Sequence, residues 1–213
     1  MPEALIKWIF FWYDGHILPP MTPDFDVIFM TGPQGSGKGT QGKRLAAKLD
    51  FFLWDTGAAL RAIASQDTPL GKEVAGIINN GNFLSDDLLI EILKDRLPEI
   101  LKGRGVIFDG VPRRIGQAEY LLNYLKEQGK HRMMTVSIDV PREESLKRLL
   151  LRAETEGRAD DTPERIEKRL RFFEEVVKPM MEYLKKETKY VEIDGTPSVD
   201  EVEREIDAAL GIL

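Results

Sequence analysis

Gly32-Pro33-Gln34-Gly35-Ser36-Gly37-Lys38-Gly39-Thr40 follows directly on the apolar run Val27-Ile28-Phe29-Met30 and opens onto the amphipathic stretch Lys38 to Leu49. A buried strand, a glycine-rich turn and a helix start, in that order, meet the demands of a phosphate-binding loop. Glycines let consecutive backbone N–H groups converge on an anion without Cβ atoms in the way. The helix behind the turn aims its positive N-terminus at the same point. Lys38 adds a flexible point charge that reaches terminal phosphates. The common pattern sets a hydroxyl directly after the lysine. Here Gly39 intervenes and the hydroxyl comes one residue later, at Thr40.

Outward from this loop, strand and helix signals alternate. Short apolar runs predict strands at Val27 to Thr31, at Phe51 to Leu53, at Val106 to Phe108 ending in Asp109, at Met133 to Asp139 and at Tyr190 to Ile193. Continuous rather than alternating runs suit a parallel sheet covered on both faces. The expected fold is therefore α/β, a five-stranded parallel sheet with helices on both sides. Ser85 is placed to cap a helix over Asp86 to Leu97, with two acids in its first turn. Thr56 is placed to cap a helix that carries Arg61 in its second turn. Thr162-Pro163-Glu164 opens a long helix whose apolar positions Ile166, Leu170, Phe173, Val177, Met180 and Leu184 recur at three and four. Ser198 with Glu201 forms a capping box for the last helix.

The chain has 213 residues, enough for one α/β domain with small inserted flaps. Its net charge of −6 argues against a general nucleic-acid binder. Cysteine is absent, which excludes a disulfide framework, a thiolate zinc site and a cysteine nucleophile. A cytoplasmic enzyme fits this composition. Ala4 to Tyr13 is strongly apolar, yet about 20 such residues are needed to span a bilayer. The expectation is a short element packing on the domain or on a subunit partner. A membrane-surface anchor is the alternative, although Lys7 is the only basic side chain in the run. Pro19, Pro20 and Pro23 mark a linker into the first strand.

Further candidates for chemistry follow the strands. Asp109 ends an apolar strand, where a carboxylate beside a phosphate loop holds Mg²⁺ directly or through water. Arg113 lies just beyond it, suited to gripping a phosphate bidentately. Gln117, one helical turn on, offers an amide donor and acceptor suited to a base edge. Arg148, Arg152, Arg158 and Arg169 form a last basic group. Glu164/Lys168 and Glu167/Arg171 have helix-pair spacing, whereas Arg169 has no acidic residue three or four positions away. Arg148 and Arg152 lie one turn apart with like charge. Such a group points to an anionic partner.

These motifs together resemble the adenylate kinases, from about Asp26 to Leu210. Gly35-Ser36-Gly37-Lys38-Gly39-Thr40-Gln41 is similar to that family's phosphate loop, with glycine after the lysine. Asp109-Gly110-Val111-Pro112-Arg113 with Gln117 resembles its second signature. Arg158-Ala159-Asp160-Asp161 followed by Lys168-Arg169-Leu170 resembles its third. The resemblance implies a P-loop kinase acting on ATP, AMP and ADP with Mg²⁺ as cofactor, working as a cytoplasmic monomer without nucleic-acid or membrane partners.

It also implies roles by position. Gly35, Ser36, Gly37, Lys38, Gly39 and Thr40 hold the ATP phosphates. Arg148 lies against the ATP adenine, Arg152 near its phosphates, and the backbone at Thr196 and Pro197 borders the base. Thr56, Arg61, the backbone of Asn82, Phe83 and Leu84, then Gly110, Val111, Pro112, Arg113 and Gln117 surround AMP. Arg158 and Arg169 meet phosphates in transit from the closing side. Lys38, Arg113, Arg152, Arg158 and Arg169 carry the catalysis, with Mg²⁺ near Thr40 and Asp109, through water.

By the same resemblance, residues 1–25 are an N-terminal extension and linker. Residues 26–213 form the kinase domain, with a monophosphate-binding flap over about 55–84 and a lid over about 152–161. That lid is too short for the long, zinc-binding form, so no zinc site is expected. Ala58 stands where the family usually has Asp, Val111 where it has Phe or Tyr, Gln34 where Pro is common and Pro197 where many members have Lys. A UMP/CMP kinase of the same fold and a non-catalytic nucleotide-binding regulatory module are the competing readings. Thr56 and Gln117 favour AMP over the first, and the number of candidate phosphate arginines argues against the second. No Asn-Lys-x-Asp element supports a GTPase. His16 and His131 are assigned no role, since this chemistry needs no histidine.

Overall fold

The run Val27–Thr31 forms β1, the central strand of a five-stranded sheet, and all five of its residues are buried. The computed structural model describes residues 24–156 and 162–212. Along β1 the side chains alternate between two cores, as the two-residue period of a strand requires. Val27 and Phe29 join one core with Phe108, Leu93, Leu97 and Leu121. Ile28 and Met30 join the other with Leu45, Ile107, Val136 and Ile206. Helices therefore cover both faces of the sheet, as the continuous apolar run predicts.

The chain continues through α1 (Lys38–Leu49), β2 (Phe52–Asp55), α2 (Thr56–Ala64), α3 (Pro69–Ile78) and α4 (Asp86–Ile100). β3 (Val106–Asp109), α5 (Ile115–Glu127), β4 (Met133–Asp139) and α6 (Arg142–Glu156) follow. Beyond residues 157–161 come α7 (Pro163–Phe172), a π-helical turn at Phe173–Val177, α8 (Lys178–Glu187), β5 (Lys189–Asp194) and α9 (Val199–Leu210). Strand order is β2-β3-β1-β4-β5, and every paired strand is parallel. After β1 the chain crosses to β2 on one side, and after β3 it crosses to β4 on the other. The carboxyl ends of β1 and β3 thus flank the switch point, where open α/β sheets bind their ligands.

Several local expectations change. Helix α2 is capped by Asp55, whose Oδ1 accepts from the Ala58 N–H at 2.9 Å, and not by Thr56. Strand β2 runs as far as Asp55, so the turn falls later and Thr56 becomes the first helical residue. The long helix after Thr162 is divided by the π turn. Pro179, near the start of α8, has no N–H to donate to the ladder, and its ring crowds the carbonyl four residues back, so the turn before it widens. Helix α4 passes through Pro98 to Ile100, held by buried Leu97 and Ile100. The edge strands are less covered than a central one. Phe52 on β2 is 47% exposed, and Ile193 is the one buried residue of β5.

Helix α1 is braced against α9. Gln41 donates to the Val199 carbonyl at 2.7 Å, and Arg44 meets Asp200 and Glu203, both at 2.6 Å. Lys48 pairs with Glu203 at 2.7 Å and with Asp207. These contacts fix the helix that starts at the lysine of the loop.

Candidate active site

A cavity of about 810 Å³ opens at the switch point. Its floor is the loop between β1 and α1, and the loop conformation depends on particular glycines. Gly32 has φ +132°, and a Cβ there would sit 2.1 Å from the Ile138 carbonyl oxygen. Gly35 has φ +84°, and a Cβ there would come within 2.8 Å of the Ser145 carbonyl oxygen. Only glycine allows both the left-handed backbone and the close approach.

Lys38 rises from the first turn of α1, and its Nζ donates to the Pro33 carbonyl at 3.0 Å. Burial brings its pKa down to about 8, against the attraction of Asp109. Asp109 stands at the end of β3, paired in register with Met30 on one side and Asp55 on the other. Burial pushes its carboxyl up from the ordinary range, while Lys38 pulls it down. Arg113 follows on the loop before α5. Its Nε donates to the Gly110 carbonyl at 2.7 Å, and burial lowers it to about 10. Arg113 and Arg152 both act on Lys38 as like charges, and Arg169 acts on Arg113 in the same way. Four cations therefore share one partly desolvated space, an arrangement that an anion stabilises.

Most of the residues singled out in the sequence line this cavity. From the loop side come Gly35, Gly37, Lys38, Gly39 and Thr40, with Arg148 and Arg152 from α6. From the other side come Thr56, Arg61, Asn82, Phe83, Leu84, Gly110, Arg113 and Gln117, with Arg169 from α7. Ser36 and Val111 are buried behind the wall, and Pro112 lines a small adjoining cavity. Thr196 and Pro197 lie exposed at the loop after β5. Arg158 lies outside the described residues.

Arg148 has partners that its spacing from Arg152 did not suggest. Its Nε donates to Glu144 at 2.7 Å and its two terminal nitrogens to the carbonyls of Gly195 and Thr196, at 2.9 and 3.3 Å. This side chain ties α6 to the loop after β5. Thr56 Oγ1, Ser36 Oγ and Gln34 Oε1 are buried without a protein hydrogen-bond partner. Buried polar atoms are rarely left so, and each belongs to the loop or the cavity wall.

Other lining residues escaped the sequence reading. Phe172 stacks on Phe83 with ring centroids 3.9 Å apart. Arg114 lies over the Phe172 ring at 5.3 Å and Arg113 over Phe83 at 4.9 Å. Arg165 donates to the Asn79 carbonyl at 2.6 Å, and Lys168 donates to Asn82 Oδ1. Arg165, Arg169 and Phe172 follow an i, i+4, i+7 spacing, one face of α7, and that was the available signal.

This fold and cavity define a P-loop phosphotransferase of the nucleoside monophosphate kinase class. The family model described as adenylate kinase matches residues 30–189. Over 186 residues the chain is 42% identical to an adenylate kinase of Thermus thermophilus, covering 87% of this chain and 97% of that protein. It is 42% identical over 184 residues to one from Phocaeicola vulgatus, covering 86% and 96%. With one from Maricaulis maris it shares 41% over 183 residues, covering 86% and 97%. The chain belongs to the adenylate kinase family.

Proposed function

We propose that this protein transfers the terminal phosphoryl group of MgATP to AMP, reversibly, giving two ADP. The observation that carries the reading is the gathering of Lys38, Arg113, Arg152 and Arg169 around one cavity, between the glycine loop and Gln117. One nucleotide lies with its phosphates on the loop from Gly35 to Thr40 and its base against Arg148, bordered by the Thr196–Pro197 backbone that Arg148 holds. AMP lies opposite, against Thr56, Arg61, Asn82, Phe83, Leu84 and Gly110 to Arg113, with its base at Gln117. Thr56 Oγ1 has a donor and acceptor to offer there.

An AMP phosphate oxygen attacks the γ-phosphorus in line. As that P–O bond forms, the bond to the bridging oxygen breaks and ADP leaves with the electron pair. The attacking oxygen is already anionic, so no general base is needed. Lys38, Arg113, Arg152, Arg158 and Arg169 neutralise charge on the transferring group, and the enclosing walls keep out water that would hydrolyse ATP.

The residues present fit Mg²⁺. Asp109 is a half-buried carboxylate lining the cavity, 3.3 Å from where a Cβ on Gly39 would sit, and Thr40 lines the same space. Hard oxygen donors suit this ion. Asp109 and Thr40 would hold it, through water, and the chemistry it supplies is charge neutralisation on phosphate oxygens.

The enzyme is proposed to act as a cytoplasmic monomer, and no described helix is long and apolar enough to cross a membrane. Coupled turnover with AMP, CMP, UMP and GMP as acceptors tests the reading. AMP is expected to be preferred by orders of magnitude, and equal turnover of CMP or UMP would replace it.

A further inference from the structure

Gln117 is 2% exposed, and its amide is engaged on two sides. Its Oε1 accepts from the Arg113 backbone N–H at 2.9 Å. Its Nε2 donates to Asp86 Oδ1 at 2.8 Å. A backbone N–H only donates, and a carboxylate only accepts. If the amide turned over, Nε2 would face the Arg113 N–H, donor against donor, and Oε1 would face the Asp86 carboxylate, acceptor against acceptor. Two partly buried contacts would fail together. The neighbours alone therefore fix which end of the amide donates.

An amide nitrogen has two protons and its oxygen two lone pairs. One of each is used, so one N–H and one lone pair remain, and Gln117 lines the cavity. A 6-aminopurine offers an acceptor at N1 and a donor at its amino group, and an amide in one orientation matches both. A 6-oxopurine offers a donor at N1 and an acceptor at O6, and it needs the amide reversed.

We infer that Asp86 is a specificity-determining positioning residue, which locks the Gln117 amide so that the acceptor site takes 6-aminopurine and refuses 6-oxopurine nucleotides. The inference rests on the proposed reading that Gln117 faces the base of the phosphoryl acceptor. Asp86 is the first residue of α4, at its positive end, and Arg114 Nε stands 3.6 Å from the same Oδ1. Both set positive charge beside the oxygen that accepts from Gln117 Nε2. Asp86 is not among the residues that line the cavity, so its effect passes through Gln117.

The experiment compares kcat/KM for AMP and for inosine monophosphate in the wild type, Asp86→Asn, Asp86→Ala and Gln117→Ala. An asparagine can donate or accept, and alanine removes the acceptor, so both release one side of the amide. The preference for AMP over inosine monophosphate is expected to fall about tenfold in both Asp86 variants, the cost of one mismatched, partly buried contact. A destabilised but correctly wired protein would lose both substrates in parallel. An unchanged preference in the Asp86 variants, with AMP turnover lowered in Gln117→Ala, would overturn the lock and leave the base reading standing. Unchanged AMP turnover in Gln117→Ala would overturn the base reading and the lock with it.

Discussion

Phe83 and Phe172 stack nearly face to face, with 20° between their ring planes, and join the loop before α4 to the last turn of α7. Arg113 lies over one ring and Arg114 over the other. The stack closes the side of the cavity assigned to AMP. An aromatic pair of this kind contributes about 0.5–1.5 kcal/mol beyond its buried area. Phe172→Ala is expected to raise KM for AMP by roughly threefold to tenfold, since less of the free enzyme holds the closed arrangement. KM for ATP is expected to stay within about twofold, because the loop proposed to hold the ATP phosphates lies across the cavity. Steady-state kinetics with each substrate varied in turn checks this, and Phe172→Tyr should restore the wild-type value.

Lys38→Ala deletes the charge proposed to meet the moving phosphoryl group. A loss in kcat of at least about a hundredfold is expected, with an intact fold by circular dichroism. Turnover at the wild-type rate would remove the role given to the loop.

Lys38 also sets an alkaline limit. In the free enzyme its pKa lies at about 8, so the ammonium is present below that pH and lost above it. The free-enzyme parameter kcat/KM for ATP is expected to fall above about pH 8, and kcat at a higher pH, because bound phosphates restore the proton. The effect on stability has its own sign. Between about 8 and the unfolded value of 10.5 the unfolded chain holds more protons at this residue than the folded one. The nucleotide-free protein therefore gains stability from this residue as pH rises through that window. Thermal melts of the wild type and Lys38→Met across pH 7 to 10 would show the gain in the wild type alone.

Arg169 and Arg171 provide a paired test. Arg169 lines the cavity and acts on Arg113, while Arg171 points to Glu167 at 3.9 Å on the outer face. Arg169→Ala is expected to lose about two orders of magnitude or more in kcat, as for an arginine that meets the transition state. Arg171→Ala is expected to be near neutral, since exposed ion pairs of this kind contribute about 0.3–0.5 kcal/mol. Small and equal losses at both would leave the cluster a charged surface.

The elements that make the cavity were legible because each carries a local signal. The loop from Gly32 to Thr40, the strand end at Asp109 and the capping box at Ser198 are patterns within a few residues. Strand β1 and helix α1 have the bounds their apolar runs and glycine turn dictate. What escaped depends on distance in sequence. The Phe83–Phe172 stack and the Arg165–Asn79 bond join residues from different parts of the chain, and no local period records them. Asp86 reads as an ordinary first-turn acid until the fold brings Gln117 to it. Asp55 and Thr56 both suit a cap, and the length of β2 decided between them.

The brace between α1 and α9 bears on how the protein is made. Gln41 and its acceptor at Val199 are 158 residues apart in the chain. Ribosomes add about 5–20 residues each second, so the phosphate loop emerges roughly 8–30 s before the helix that steadies it. Until then Arg44 and Lys48 lack the acids of α9, and the loop rides on a helix held from the sheet side alone. A nascent chain thus acquires the brace behind its glycine loop only after α9 has been made.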